Sequence, residues 1–331
     1  MSDKSKLTIS LLTWNGAKYL PMLLNSLHDQ IYKDWELLVL DNASYDNSVA
    51  VVEEYFPQAT IIKQKQNLGF AKGHNLLIKW SKSDYVLVLN QDVILEPDYI
   101  QTLVKFLDQH SEAASVAGKV LHWDFAEHKK TNIIDSLGLK INRQREAKDI
   151  AQGEEDREVP RQAVFGLSAV ATLYRRQALE SVKWVRGHNE SEYFDEDFFA
   201  YKEDVDLAWR LLLAAWENWL EPKTKAYHHR SLSGRQSLRQ RRQYRGLASK
   251  MSYRNHFCLL YKNSFCRNNW RDFWQIAWYE IKKFIYLLIF EPSTLTGLGE
   301  FIRLIPIMTK KRRFIHKYSR LKAGDIYQWF R

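Results

Sequence analysis

At 331 residues and 39.3 kDa the chain is long enough for one large core, or a core with an appendage, which excludes a peptide-sized stapled scaffold. Its two cysteines, Cys258 and Cys266, lack CxxC spacing, so a disulfide framework and a cysteine zinc site are excluded and a reducing, cytosolic setting fits. The net charge of +10 is unevenly divided: residues 1–221 hold 25 Lys and Arg against 34 Asp and Glu, and residues 222–331 hold 24 against 5.

An acidic body with a basic tail implies that the tail meets an anionic partner, whether phospholipid, nucleic acid or a phosphorylated substrate. The amino-terminal run LTISLL passes directly into polar TWNG and reads as a strand, with no signal peptide. Leu7–Thr13 is apolar and β-branched, and Asn15-Gly16 punctuates it. Helical spacing follows over residues 19–30, at Leu20, Leu23, Leu24 and Leu27. Residues 35–40 form a second buried strand that ends in Asp41-Asn42-Ala43-Ser44. Residues 49–56 read as a helix, Thr60–Lys63 as a short strand, and residues 71–80 as another helix. In residues 85–89 apolar side chains follow one another without alternation, as in a strand covered on both faces, before Asn90-Gln91-Asp92. Residues 115–120 add a further strand. This alternation predicts an α/β fold with a mixed, mostly parallel sheet flanked by helices.

From residue 122 to 161 the pattern dissolves into charge, and the segment reads as an exposed excursion. Order returns at residues 163–174, and a helix is predicted over residues 204–215. The body is thus expected to occupy residues 1–238, and residues 239–331 to form a basic, aromatic-rich helical extension. A basic run covers residues 239–245, and Phe273–Phe290 repeats apolar positions at spacings of three and four. That helix is short of the ~20 apolar residues of a membrane span. Together with Lys310-Lys311-Arg312-Arg313 it has the composition of an interfacial surface for anionic lipid; the plainer alternative is that these helices cap the body with their aromatics inward.

Five polar clusters stand at the ends of apolar elements: Thr13-Trp14-Asn15, Asp41 to Ser44, NLGFAKGHN from Asn67 to Asn75, Asn90-Gln91-Asp92, and KEDVDLAWR from Lys202. Carboxyl ends of parallel strands share one edge, so the first four should converge on one crevice, which suits a nucleotide. Asp41 suits a base or ribose hydroxyl, and equally an ordinary turn and N-cap. Gly69 and Gly73 allow close backbone approach, although the segment has neither GxGxxG nor a P-loop. Asp92, at a strand end, suits a metal or a phosphate-bearing substrate. Gly166 and Ser168, in FGLSAVATLYRR, are placed on the acceptor side; a tight strand turn also explains the glycine. Asp206 is expected to interact with backbone N–H groups or the helix dipole, and Trp209 to be core.

In this succession, completed by HHRSLSG from His228, the chain resembles glycosyltransferase family 2, in its rhamnosyltransferase-like branch, over about residues 7–234. The resemblance implies a GT-A fold, a nucleotide-sugar donor and a divalent metal, Mg²⁺ or Mn²⁺. It assigns Asp41, Thr13 and Asn15 to the nucleoside pocket, and Asn67 and Gly69 to the nucleotide and diphosphate, with Lys72 and Asn75 nearby. Asn90 occupies the first position of the family's Asp-x-Asp motif, leaving Asp92 as its carboxylate, with His228 as a further metal ligand. Glu203 and Asp204 match the catalytic acidic motif, with Asp204 as the base. A base is needed because the acceptor hydroxyl must lose its proton as it attacks the anomeric carbon. The expectation is an inverting transfer, of rhamnose from dTDP-rhamnose, onto a glycan or polyprenyl-diphosphate-linked acceptor in cell-surface polysaccharide synthesis. UDP-sugars stay open as donors. The enzyme is expected in the cytoplasm, peripheral at the inner face of the plasma membrane. A nucleic-acid binder and a non-catalytic glycan binder are the rival classes; acidic clusters at the sheet edge disfavour a polyanion, and no nucleic acid is expected as a partner.

Overall fold

The structure, a computed structural model, describes residues 5–186, 190–229 and 238–330. Its strands are β1 (Leu7–Thr13), β2 (Trp35–Asp41), β3 (Thr60–Lys63), β4 (Tyr85–Asn90), β5 (Val93–Leu95), β6 (Ala113–Asp124), β7 (Lys129–Ser136), β8 (Leu139–Ile141), β9 (Ala147–Asp149), β10 (Gln162–Val164), β11 (Ala171–Arg175), β12 (Trp184–Arg186), β13 (Glu190–Glu192) and β14 (Glu217–His228). Its α-helices are α1 (Leu20–His28), α2 (Ser48–Tyr55), α3 (Gly69–Trp80), α4 (Tyr99–Gln109), α5 (Arg176–Val182), α6 (Glu203–Leu213), α7 (Leu238–Asn263), α8 (Cys266–Arg271), α9 (Phe273–Phe290), α10 (Thr296–Tyr318) and α11 (Ala323–Tyr327).

The main sheet runs β10-β14-β6-β11-β4-β1-β2-β3, with β5 paired to β14 and β7 to β6. Strands β4, β1, β2 and β3 are mutually parallel, whereas β11 lies antiparallel between β4 and β6. Successive side chains of β4 feed opposite faces. Leu87 and Leu89 join the core beneath α1, α2 and α4, while Val86 and Val88 pack under α3, α5 and α6. The expected sheet with helices on both faces is therefore present, and its parallel half delivers the ends of β1, β2 and β4 to one edge.

Residues 122–161 are not the exposed excursion their charge predicts. They carry β7, β8 and β9, and bury Ile134, Asp135, Leu137, Leu139, Ile141 and Arg145. The charges occupy exposed tips such as Glu127 to Lys129, while most of the sparse apolar residues between them turn inward wholly or in part. The division at residue 238 is also not a division of the core. Cys258 and Leu259 of α7, Met308 and Ile315 of α10, and Ile326 of α11 share one cluster with Trp209 and Leu212 of α6 and with β8. Buried ions join the same parts. Lys311 contacts Glu192 at 2.8 Å, Asp197 at 2.7 Å and also Asp195, while Lys262 contacts Asp206 at 2.9 Å and also Asp195. Lys311 thus leaves the basic surface to which its sequence neighbours assign it.

Helix α9 behaves otherwise. Trp274 is 81% exposed and Phe290 67%, and of the eighteen residues only Leu287 is buried. Its aromatics do not pack inward, against the capping alternative. Among the described residues no helix is long and apolar enough to cross a membrane. Residues 230–234 of HHRSLSG lie outside the described residues, as do the side chains of the basic run 239–245.

Candidate active site

The register of the parallel strands sets Thr13 opposite Asp41 and Leu12 opposite Asn90, so three of the predicted clusters begin on one row of the sheet edge. Side chains then tie the loops together. Gln91 Oε1 accepts from the Thr13 hydroxyl at 2.8 Å and the Trp14 N–H at 2.9 Å, and Gln91 Nε2 donates to the Trp14 carbonyl. Gly16 is needed beside it, because a Cβ there would lie 2.2 Å from Gln91 Oε1. Asn15 accepts from the Tyr45 N–H at 3.0 Å, and its own N–H donates to Ser44 Oγ at 2.9 Å. Asp41 is buried and accepts weakly from the Ser44 N–H.

Asn67 Oδ1 accepts from the Gly69 N–H at 2.8 Å and from Asn42 Nδ2 at 2.9 Å, and Asn42 Oδ1 accepts from the Leu68 N–H at 2.7 Å. Gly69 has φ +78°, and a Cβ there would sit 2.6 Å from Phe199, so only glycine fits on both counts. Lys72 is half-exposed, 3.9 Å from Glu196. Asn75 is not at the crevice. It is fully buried, donating to the Phe194 carbonyl and Glu196 and accepting from the Tyr193 and Phe194 N–H groups. One turn beyond Ala71, it falls on the buried face of α3, where its amide braces the segment before the acidic motif.

Pairing of β14 with β5 sets His228 opposite Val93 and so beside Asp92. His228 Nε2 lies 3.5 Å from Asp92 Oδ1, while Nδ1 lies 2.9 Å from Asp135 Oδ2. Burial alone would lower the His228 pKa, but the Asp92 and Asp135 carboxylates override it and raise it to about 9. Negative charge thus exceeds positive at this corner. Among the described residues no group of three His, Cys, Asp or Glu side chains is gathered for a metal. A carboxylate oxygen and an imidazole nitrogen nonetheless suit a hard cation that takes its remaining ligands from diphosphate and water. Asp135 supplies a carboxylate that orients the His228 ring.

Glu203 and Asp204 open α6. Burial, together with the adjacent Asp204 carboxylate, drives Glu203 well above the usual carboxylate range. Burial raises Asp204 to about 6, against a hydrogen bond from the Val205 N–H and with Asp149 adding to the rise. Asp204 lines a cavity of about 530 Å³ with Ser168, Asp149, Tyr201, Lys202 and Ser252. Lys202, buried and near Lys283, is lowered to about 8. The segment behind Ser168 joins the two halves of the site: the Val170 carbonyl accepts from the Asn90 N–H at 2.9 Å, and the Ala169 N–H bonds to Asp204.

Ser168 lines this cavity with Asp204, and Gly166 does not. Its absent side chain admits α6, since a Cβ would come 2.4 Å from Ala208 Cβ. Asp206 lies in the first turn of α6, as a dipole partner would, but its side chain is taken up by buried ions. It is fully buried and pairs with Arg210 at 2.9 Å, Lys262 at 2.9 Å and Asn263 at 2.7 Å. Sequence reasoning passed over Asn42, Gln91 and Asp135. The first two lie within quoted clusters, where an amide next to a strand end was the available signal; Asp135 stands in a charged stretch with none.

Three comparisons bear on this geometry. A family model described as Glycosyl transferase family 2 matches residues 8–182. A curated relative, the N-acetylglucosaminyl-diphospho-decaprenol L-rhamnosyltransferase of Mycobacterium tuberculosis, is 25% identical over 246 residues, 69% of this chain and 77% of that protein. Among solved structures, GalNAc-T7 with UDP, GalNAc and Mn²⁺ superposes with a TM-score of 0.62 at 10% identity, covering 81% of this chain and 50% of that one. S. aureus TarS 1–349 in complex with UDP-GlcNAc superposes with a TM-score of 0.56 at 16% identity, covering 98% and 89%. At these identities the structures show the fold, which is of the GT-A type.

Proposed function

The chain belongs to glycosyl transferase family 2, and from that premise we propose that it is an inverting, metal-dependent transferase with Asp204 as general base. One observation carries the reading. Asp204, raised to about 6, shares a cavity with Ser168, and two residues beyond Ser168 the Val170 carbonyl accepts from the N–H of Asn90, two positions before Asp92, which lies by His228. A base with that pKa is ionised at neutral pH yet still proton-hungry, as removal of an acceptor hydroxyl proton requires. Asp41, Thr13, Asn15, Asn67 and Gly69 frame the nucleoside and diphosphate, with Lys72 at the rim. Asp92 and His228 would hold the divalent cation, which when bound would neutralise charge on the diphosphate. Glu203, kept protonated by burial, serves as a buried neutral neighbour that prevents a second negative charge from crowding Asp204. Direct displacement accounts for inversion without a covalent sugar–enzyme stage.

Rhamnose from dTDP-rhamnose is the donor we favour, supported by the named activity of the mycobacterial relative; a UDP-sugar is the second reading, supported by the UDP-sugar named in the TarS structure. The acceptor is a glycan or polyprenyl-diphosphate-linked glycan that enters at Ser168. Helix α9, with its exposed Trp274, Trp278 and Phe290 and nearby exposed Arg271 and Lys282, rests on anionic lipid and brings the cavity to such an acceptor at the cytoplasmic face. A thermal-shift panel of dTDP- and UDP-sugars, each with and without Mg²⁺ or Mn²⁺, tests the donor: the true one raises the melting temperature only with metal, by mass action. Flotation with anionic liposomes tests α9. Full-length protein that stays at the bottom of the gradient removes the membrane claim.

A further inference from the structure

Helix α6 starts from an unusual backbone. Phe199, Tyr201 and Lys202, none of them glycine, have φ of 63°, 71° and 68°. Such conformations are strained and persist only where their surroundings impose them. On one side the turn meets the nucleotide loop, where the Phe199 carbonyl accepts from the Ala71 N–H at 3.2 Å and the Phe199 ring abuts Gly69. On the other side it meets α7. Asn255 is fully buried, and its Nδ2 donates to the carbonyls of Phe198 at 3.0 Å, Ala200 at 2.9 Å and Tyr201 at 2.8 Å. Arg254 Nε donates to Asn255 Oδ1 at 2.9 Å, which fixes the sense of the amide with its NH₂ toward the turn. Arg254 Nη2 adds bonds to the carbonyls of Asp197 and Phe198 at 2.9 and 3.0 Å.

We propose that Asn255, oriented by Arg254, is a positioning residue for the transfer step, holding the turn at residues 198–201 so that Asp204 faces the acceptor. The inference rests on the reading of Asp204 as base. Asn255 works through backbone carbonyls, and the loops at the ends of β1, β2 and β4 are tied by other side chains. Its loss should therefore leave donor binding intact while the base wanders. Without the three bonds, residues 199–202 relax toward negative φ and the first turn of α6 reorients.

The test compares full-length Asn255→Ala and Asn255→Asp with the parent. The second variant is isosteric and turns an acceptor oxygen toward three carbonyls. Expected is a 10- to 100-fold fall in kcat, with donor KM and donor Kd within threefold. Amide hydrogen exchange should quicken at least tenfold over residues 197–204 and stay unchanged in β1 and β4. Should Asn255→Ala fail to fold, Arg254→Ala withdraws the orienting bond and is expected to give a smaller fall with the same split. Unchanged kcat in a folded variant overturns the proposal, as does a joint loss of kcat, donor affinity and protection across the sheet. Exchange does not depend on the chemistry. A parent that transfers no sugar, with exchange still quickened only at residues 197–204, puts the error in the assigned reaction and leaves the turn's support standing.

Discussion

Two sides of one crevice are held by different means. At the ends of β1, β2 and β4 the loops secure one another: Gln91 holds Thr13 and Trp14, Asn42 holds Asn67 and Leu68, and Asn15 holds Tyr45. The turn ahead of α6 is secured from α7, by residues 54–57 positions later, and the segment before it by Lys311, more than a hundred later. A crevice at parallel strand ends is thus preassembled by the sheet. Asp204, the base we propose, is placed by packing between distant parts of the chain, so that its position should be separable from the strand-end loops.

The sharpest way to separate the two sides is Asp204→Asn. Transfer should fall by about a thousandfold, within the ~10²–10⁴ range of a single acid–base group, while donor affinity measured by calorimetry stays within threefold. The variant should also melt higher. A carboxylate raised from 3.8 to about 6 on folding stabilises the native state at low pH, and that contribution is lost as pH rises through this interval. Removing it at pH 7 returns up to roughly 3 kcal/mol at ~1.4 kcal/mol per pK unit. In the parent the acidic limb of kcat/KM should fall near pH 6, and a limb below pH 4.5 would contradict the assignment.

Lys311→Met strikes the remote support. It leaves Glu192, Asp195 and Asp197 around an uncompensated site and should cost ~3–5 kcal/mol in urea unfolding, as for other buried pairs broken from one side. A loss below 1 kcal/mol would mean that the network contributes little. Asp135→Asn tests the metal corner from behind. Mn²⁺ affinity in the presence of donor nucleotide should weaken ~10- to 100-fold, as it does when a histidine ligand loses its orienting carboxylate. Gly69→Ala touches both sides at once, and its positive φ together with the Phe199 contact should lower stability by ~1–3 kcal/mol and weaken nucleotide binding. An unaltered Kd there would show that the two sides are less joined than their packing indicates.

What the sequence discloses follows the same divide. Strands β1, β2 and β4 are legible because a strand covered on both faces must be apolar throughout, and the residue that breaks the run then marks the sheet edge. Strand β14 was not read. Pro222, Lys223 and Lys225 interrupt its apolar residues, and the structure absorbs them in a register shift between Leu220 and Lys225. Asp135 and Lys311 look like surface charges because their partners lie 93 and 114–119 positions away, beyond any local pattern. Asn255 gives no local signal at all, since its partners are backbone carbonyls, to which every residue type contributes alike. Asn75 differs in the opposite direction: it stands in a segment that reaches the strand-end crevice, and the helical period turns it inward.

The ties between α10 and the acidic segment also carry a consequence for biosynthesis. The chain is made from its amino terminus, and loops closed over a hundred residues form after local contacts. The sheet and its nucleotide crevice can therefore assemble while the polypeptide is still on the ribosome, whereas Asp195 and Asp197 wait for Lys311 to emerge. A nascent chain halted before α10 would hold the strand-end crevice while Glu192, Asp195 and Asp197 still lacked Lys311.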